Sequence, residues 1–216
     1  MKQLIDIQTW ERKSVLEHFS KFQSPDYSVT VQVECGNTRE SAKLRKQSFF
    51  IYYLYAILRA ANEIKEFHYR LENGKVMFYD KLDVVTTINV GDDGRFVGVR
   101  IPFHEKFEDF YVCAQQVIQN ASKDEDVHLN EQVANEDVDL GLILLSVLPG
   151  LHFTSMTCTQ MTPEGCLYPL LNVGQTMPQE GKNYLPVAIT VNHTFIDGFH
   201  LTEFFKKTRA YLLSLE

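Results

Sequence analysis

Nowhere in the 216 residues is there a run approaching the ~18 uninterrupted apolar positions that a membrane-crossing helix needs. The opening segment, MKQLIDIQTWERK, also lacks the apolar stretch of a signal peptide. These absences point to a cytoplasmic protein with no membrane partner. Cysteine is scarce: Cys35, Cys113, Cys158 and Cys166 form no CxxC pair and show no regular spacing, so free thiols are expected instead of a disulfide framework. Basic residues are outnumbered, 21 Lys and Arg against 28 Asp and Glu. A formal charge of −7 argues against a general nucleic-acid binder, which needs a basic face to meet phosphates. There is no internal repeat and no low-complexity stretch.

What is present is enough apolar material, 44% of residues, for the sizeable core of one domain spanning 1–216. Ser48 to Asn62 is apolar nearly all round and predicts a buried helix. Phe67 to Leu71 and Val76 to Tyr79, joined through Asn73-Gly74, predict a hairpin. Val84 to Val90 and Phe96 to Ile101 are β-branched or aromatic runs separated by the turn residues Gly91 to Gly94. Phe107 to Gln119 looks helical, and the acidic segment Asn120 to Asp139 reads as a surface connection. Apolar runs return at Leu142 to Leu148, Leu151 to Cys158 and Leu185 to His193, the last alternating Val187, Ile189, Val191 and His193 on one face of a strand. Phe199 to Leu213 closes the chain as an amphipathic helix. Strands and helices mix without a strict βαβ rhythm, which predicts an α/β two-layer sandwich with a mixed, largely antiparallel sheet.

The segment Val191 to His200, VNHTFIDGFH, falls where a strand ends and the last helix begins. A His there can accept a proton at neutral pH, and Asp197, four residues on, can hold a cation or fix the loop. The same spacing is open to a plainer account, in which His193 is a core histidine and Asp197 simply caps the helix. A metal site from His193, Asp197 and His200 is a weaker third account, because the three straddle a strand end and a helix start; no metal is expected.

HTFIDGFH resembles the signature of the chloramphenicol acetyltransferases, with His193 at the catalytic histidine. Thr9-Trp10-Glu11-Arg12-Lys13 with Phe19 is similar to that family's opening helix, and Asn73 to Asp80 to its hairpin. Leu145 to Pro149, Phe153 to Ser155 and Leu185 to Ile189 follow in family-like order. The resemblance implies that His193 is the general base for acetyl transfer from acetyl-CoA to a hydroxyl of a small molecule, that Ser146 donates to the oxyanion, and that Asp197 pairs with Arg12 to hold the loop. Asn172 stands where a Thr helps position a water. The acceptor pocket would map onto Phe19, Phe96, Met156, Cys158, Gln160 and Leu170. A homotrimer is implied, with each site between two subunits.

The sequence departs from the family pattern at Asn192, Asn172 and Gly150, and Cys158 and Gln160 replace aliphatic pocket residues. That pocket is expected to suit a smaller or more polar acceptor than an aromatic antibiotic. Lys43, Arg45, Lys46, Lys206 and Lys207 are basic residues available to coenzyme A phosphates, although such runs are commonly solvated faces. Two rivals carry other predictions: a non-catalytic binding or regulatory protein on the same fold, and a hydrolase using Ser146 or Ser155, against which the absence of a GxSxG elbow counts.

Overall fold

The computed structural model describes residues 1–90, 96–121, 139–158 and 165–216. The turn expected at 91–94, most of the acidic segment and Gln160 lie outside the described residues.

Among the described residues ten strands and five α-helices follow in chain order: β1 Lys2–Leu4, α1 Lys13–Phe19, β2 Asp26–Glu34, α2 Thr38–Leu44, α3 Phe49–Asn62, β3 Tyr69–Glu72, β4 Lys75–Tyr79, β5 Asp83–Asn89, β6 Phe96–Ile101, α4 Phe107–Ala121, β7 Leu142–Val147, β8 Leu170–Val173, β9 Met177–Gln179, β10 Lys182–Asn192 and α5 Gly198–Ser214. A small antiparallel sheet has the order β1-β4-β3. The large sheet runs β2-β10-β8-β7-β5-β6, with β9 added beside β10. It is mixed: β5, β7 and β8 are parallel neighbours, and every other pair in it is antiparallel.

Helix α3 is buried along most of its length because its sequence, FFIYYLYAILRAAN, offers almost no polar face. It packs against α4, α5 and β5, so the helices form one layer and the large sheet the other. Val29, Val31 and Val33 of β2 alternate toward that layer, as do the fully buried Val187, Ile189 and Val191 of β10. The expected hairpin forms with Asn73 and Gly74 both at positive φ (49° and 73°), as a tight two-residue turn requires. Its first strand starts later than expected: Phe67 and His68 belong to a 3₁₀ turn, Lys65–His68, and both His68 ring nitrogens face backbone carbonyls, of Tyr79 and Asn62. Arg70, fully buried, donates to the carbonyls of Phe67, Tyr69, Leu140 and Leu142 and so ties the small sheet to the start of β7.

Residues 151–158 form no strand. They lie instead over the other face of the large sheet, where Gln32 Nε2 donates to the Phe153 carbonyl and the Met156 N–H donates to Thr30 Oγ1. The crossing is close enough to need a glycine, since a Cβ on Gly174 would stand 2.5 Å from the Leu151 carbonyl oxygen.

Candidate active site

The turn between β10 and α5 begins with Asn192, whose Oδ1 accepts from the Thr194 N–H at 2.9 Å. That side-chain bond opens the turn, which starts at His193. His193 lies one residue beyond the strand, with its ring against Tyr27, the register partner of Val191. Its own N–H donates to the Pro25 carbonyl, 2.9 Å away, just before β2. The imidazole is held between two aromatic rings: Phe19 stacks on it with centroids 4.5 Å apart, and Tyr27 at 4.4 Å. Nδ1 is enclosed and has no hydrogen-bond partner among the described residues.

Asp197 caps α5. Its Oδ1 accepts from the Phe199 N–H, and His200 Nδ1 accepts from the Asp197 N–H, forming a capping box. The other carboxylate oxygen meets Arg12 Nη1 at 3.3 Å, while Arg12 Nε donates to the Thr194 carbonyl. Cap and ion pair thus coexist, and residues 185 positions apart fasten both ends of the turn. Burial works to raise the Asp197 pKa, but His200, the Phe199 N–H and Arg12 outweigh it and hold the carboxyl below its ordinary value. Among the described residues no three His, Cys, Asp or Glu side chains converge as metal ligands.

Ser146 belongs to a different place. In the sheet register Thr30, Ala188, Asn172 and Ser146 form one row across four strands, on the face turned away from the helices. Asn172 is 5% exposed, and its Nδ2 donates to the Cys158 thiol sulfur at 2.9 Å. Met156, Cys158 and Leu170 accompany this row, and Phe96, 58% exposed, lies on the edge strand β6. Of the six expected acceptor-pocket residues, Phe19 alone sits with His193, and Gln160 is not described.

The register gives the separation. His193 follows Ala188 by five residues of nearly extended chain, and Ser146 is two strands to the side. At about 3.3 Å per residue and 4.8 Å per strand, the two side chains are rooted roughly 15 Å or more apart. Within a single chain His193 and Ser146 do not meet.

Of the basic residues set against coenzyme A, Arg45 is occupied by the Leu215 and Glu216 carbonyls, Lys206 by Glu203 and Lys207 by Glu63; Lys43 and Lys46 are exposed. Sequence reasoning missed Tyr27, which flanks the imidazole and whose hydroxyl is buried without a partner among the described residues. Burial pushes its phenol up to about 12. Its signal was the alternation Tyr27, Val29, Val31, Val33, which marks β2 and places its first residues beside the end of β10.

The described chain contains no helix long and apolar enough to cross a membrane. A family model described as chloramphenicol acetyltransferase matches residues 2–209. The chloramphenicol acetyltransferase of Clostridium perfringens is 27% identical over 214 residues, covering 99% of this chain and 95% of the relative. That of Staphylococcus aureus is 23% identical and covers 93% and 91%. A solved chloramphenicol acetyltransferase structure is 48% identical, with a TM-score of 0.93, over 98% of this chain and all of the other. The cubic core of a pyruvate dehydrogenase multienzyme complex shares the fold at 15% identity, with a TM-score of 0.63, over 93% of this chain and 86% of that one. With its strand-end histidine, its helix-capping Asp197 and a match along nearly its whole length, the chain belongs to the chloramphenicol acetyltransferase family.

Proposed function

We propose that residues 1–216 form one acyltransferase domain that moves an acetyl group from acetyl-CoA to a hydroxyl of a small molecule, chloramphenicol or a related acceptor. The observation that carries this reading is the setting of His193, clamped between Phe19 and Tyr27 with Nδ1 enclosed. Nε2 is then the nitrogen that takes the acceptor's proton. The freed oxygen attacks the thioester carbonyl, the Ser146 hydroxyl donates to the oxyanion, and the C–S bond breaks as the proton passes to the departing thiol. Arg12 and Asp197 hold the turn and do not touch the reacting atoms.

The reading requires more than one chain, because Ser146 lies too far from His193 to share an atom with it. A homotrimer, in which His193 of one subunit faces the Ser146 row of the next, supplies both at one point. Exposed aromatics support this arrangement at each half: Phe22 (52% exposed) and Phe199 (72%) in the segments flanking His193, and Phe96 on the other half. The free edge of β2 adds support, since an apolar groove lined by Val31, Leu201 and Phe205 runs between it and α5. Four unpaired cysteines suit a reducing, cytoplasmic setting.

The test is to mix the protein with acetyl-CoA and chloramphenicol or a panel of other alcohols and amines, and to follow thiol release alongside sedimentation. Acceptor-dependent release from a trimer is expected. Release without an acceptor would indicate a hydrolase. No release with any acceptor would indicate a binding protein.

A further inference from the structure

Asp197 is held at a second point, by a histidine of the helix it caps. His200, in the first turn of α5, lies between two carboxylates: its Nδ1 is 3.1 Å from the Asp197 backbone nitrogen and 3.2 Å from Asp197 Oδ1, and its Nε2 is 3.6 Å from Glu66 Oε1. Glu66 comes from the 3₁₀ turn Lys65–His68 that precedes β3. Both side chains are largely enclosed, 12% exposed for His200 and 20% for Glu66. Lys65, the neighbour of Glu66, is taken by Glu11, so His200 is the group that the Glu66 carboxylate meets.

These contacts decide where the imidazole hydrogen sits. Nδ1 accepts from the Asp197 N–H, so the neutral ring carries its hydrogen on Nε2, the nitrogen that faces Glu66. A Glu at this position also closes a capping box and would satisfy the Asp197 N–H, but it would set like charge against Glu66. The histidine closes the box and has a donor left over, which reaches toward another element. A separation of 3.6 Å is too long for a full hydrogen bond, yet it is close enough for the carboxylate to attract that N–H in a partly enclosed site. Arg12 holds the Asp197 carboxylate and the Thr194 carbonyl, whereas His200 holds the Asp197 backbone. We infer that Glu66 and His200 are positioning residues for the base: by tying the Asp197 backbone to the 3₁₀ turn they set where the catalytic turn delivers the His193 imidazole. This rests on the acetyl-transfer reading and extends it to two residues that touch neither acceptor nor donor.

Steady-state kinetics with acetyl-CoA and chloramphenicol test this in the assembled enzyme, with rates normalised to the folded fraction measured in the same samples. A merely structural pair would lower that fraction and leave the normalised rate intact. His200→Ala is expected to lower kcat about 5- to 50-fold with both KM values moving less than about threefold, because the aim of the base is disturbed and not the binding of substrates. His200→Gln can accept from the Asp197 N–H and offer an N–H toward Glu66, and is expected to recover most of the loss. His200→Glu keeps the capping box but sets a further carboxylate beside Glu66 and Asp197, and is expected to stay near the level of His200→Ala. Glu66→Gln is expected to cost about two- to fivefold in kcat, and nothing further in a His200→Ala background. An equal Glu66→Gln loss in both backgrounds, a His200→Gln rate no better than His200→Ala, or a raised KM with unchanged kcat would overturn the assignment. Should His200→Ala fail to fold, Glu66→Gln carries the test, and an unchanged kcat there overturns it. A wild type that transfers no acetyl group would remove the proposed function and this inference together, whereas an active wild type whose kcat survives both His200→Ala and Glu66→Gln would remove this inference alone.

Discussion

At the His193 end of the large sheet the chain ties down its own turn. Asn192 opens it, Pro25 holds its backbone, Arg12 and Asp197 fasten it, and two aromatic rings grip the imidazole. Around Ser146 the polar side chains sit in a row along the sheet, roofed by irregular backbone and linked through one amide-to-thiol contact. The first region is preorganised by charge and stacking, the second by strand register. On the proposed reading a base must be aimed, which would account for the first, and an oxyanion donor must be set at a fixed spacing, which would account for the second. The sheet itself keeps the two regions apart.

The comparison is broken most severely by removing the aimed group. His193→Ala is expected to lower kcat by about 10²- to 10⁴-fold while acetyl-CoA still binds, as measured by kinetics and by titration of the variant with the donor. An unchanged kcat would show that the clamped imidazole is merely structural. Ser146→Ala is expected to cost on the order of 10²-fold in kcat with little change in KM. Mixing the two inactive variants sharpens the point. If sites form between subunits of a trimer, unfolding and refolding an equal mixture restores roughly a quarter of the sites, because one subunit brings the intact His and its neighbour the intact Ser. A mixture as inactive as its components would mean that each chain completes its own site.

The same contrast explains what was legible in the sequence. Helix α3, strands β5 and β6, and helix α5 were read nearly to their ends, because the helices are long apolar or amphipathic stretches and the strands are β-branched or aromatic runs. Strand β8 was missed because four residues, LLNV, are too few to show a period. Strand β2 carries a plain alternation that went unused, and with it Tyr27 was lost. Residues 151–158 alternate apolar and polar side chains but pair with no strand, since their polar partners, Gln32 and Thr30, are side chains over 100 positions away. At the site, Asp197 and Arg12 were named through family likeness, and the structure joins them. The separation of His193 from Ser146 was not legible in one dimension, because it depends on Ala188 being the register partner of Asn172.

A milder perturbation addresses the tie at the His193 end. Arg12→Ala, Asp197→Ala and the double variant are expected to be non-additive in urea unfolding, with a coupling of about 1 kcal/mol for a partly buried pair. Additive losses would mean that the ion pair contributes nothing beyond its separate contacts. The corresponding cycle with Asp197 and Ser146 is expected to be additive, since the two residues share no partner.

The smallest effect separates the two ends by charge. Asp197 is held below the ordinary carboxylate range, so the folded state binds its proton less readily than the unfolded chain does. For a lowered pKa the contribution to stability is fully present above the unfolded value of about 3.8 and is lost as pH falls through the folded value. Asp197→Asn isolates this contribution, because Asn also caps helices well and keeps the bond to the Phe199 N–H. Urea titrations of wild type and Asp197→Asn from pH 7 to pH 3 should therefore show a stability gap that narrows below about pH 4. The Ser146 row holds no carboxylate, so the gap between wild type and Asn172→Ala should not change over the same range. A gap for Asp197→Asn that is the same at pH 3 as at pH 7 would show that the carboxylate charge does not hold the turn, leaving Arg12 to act through the Thr194 carbonyl alone.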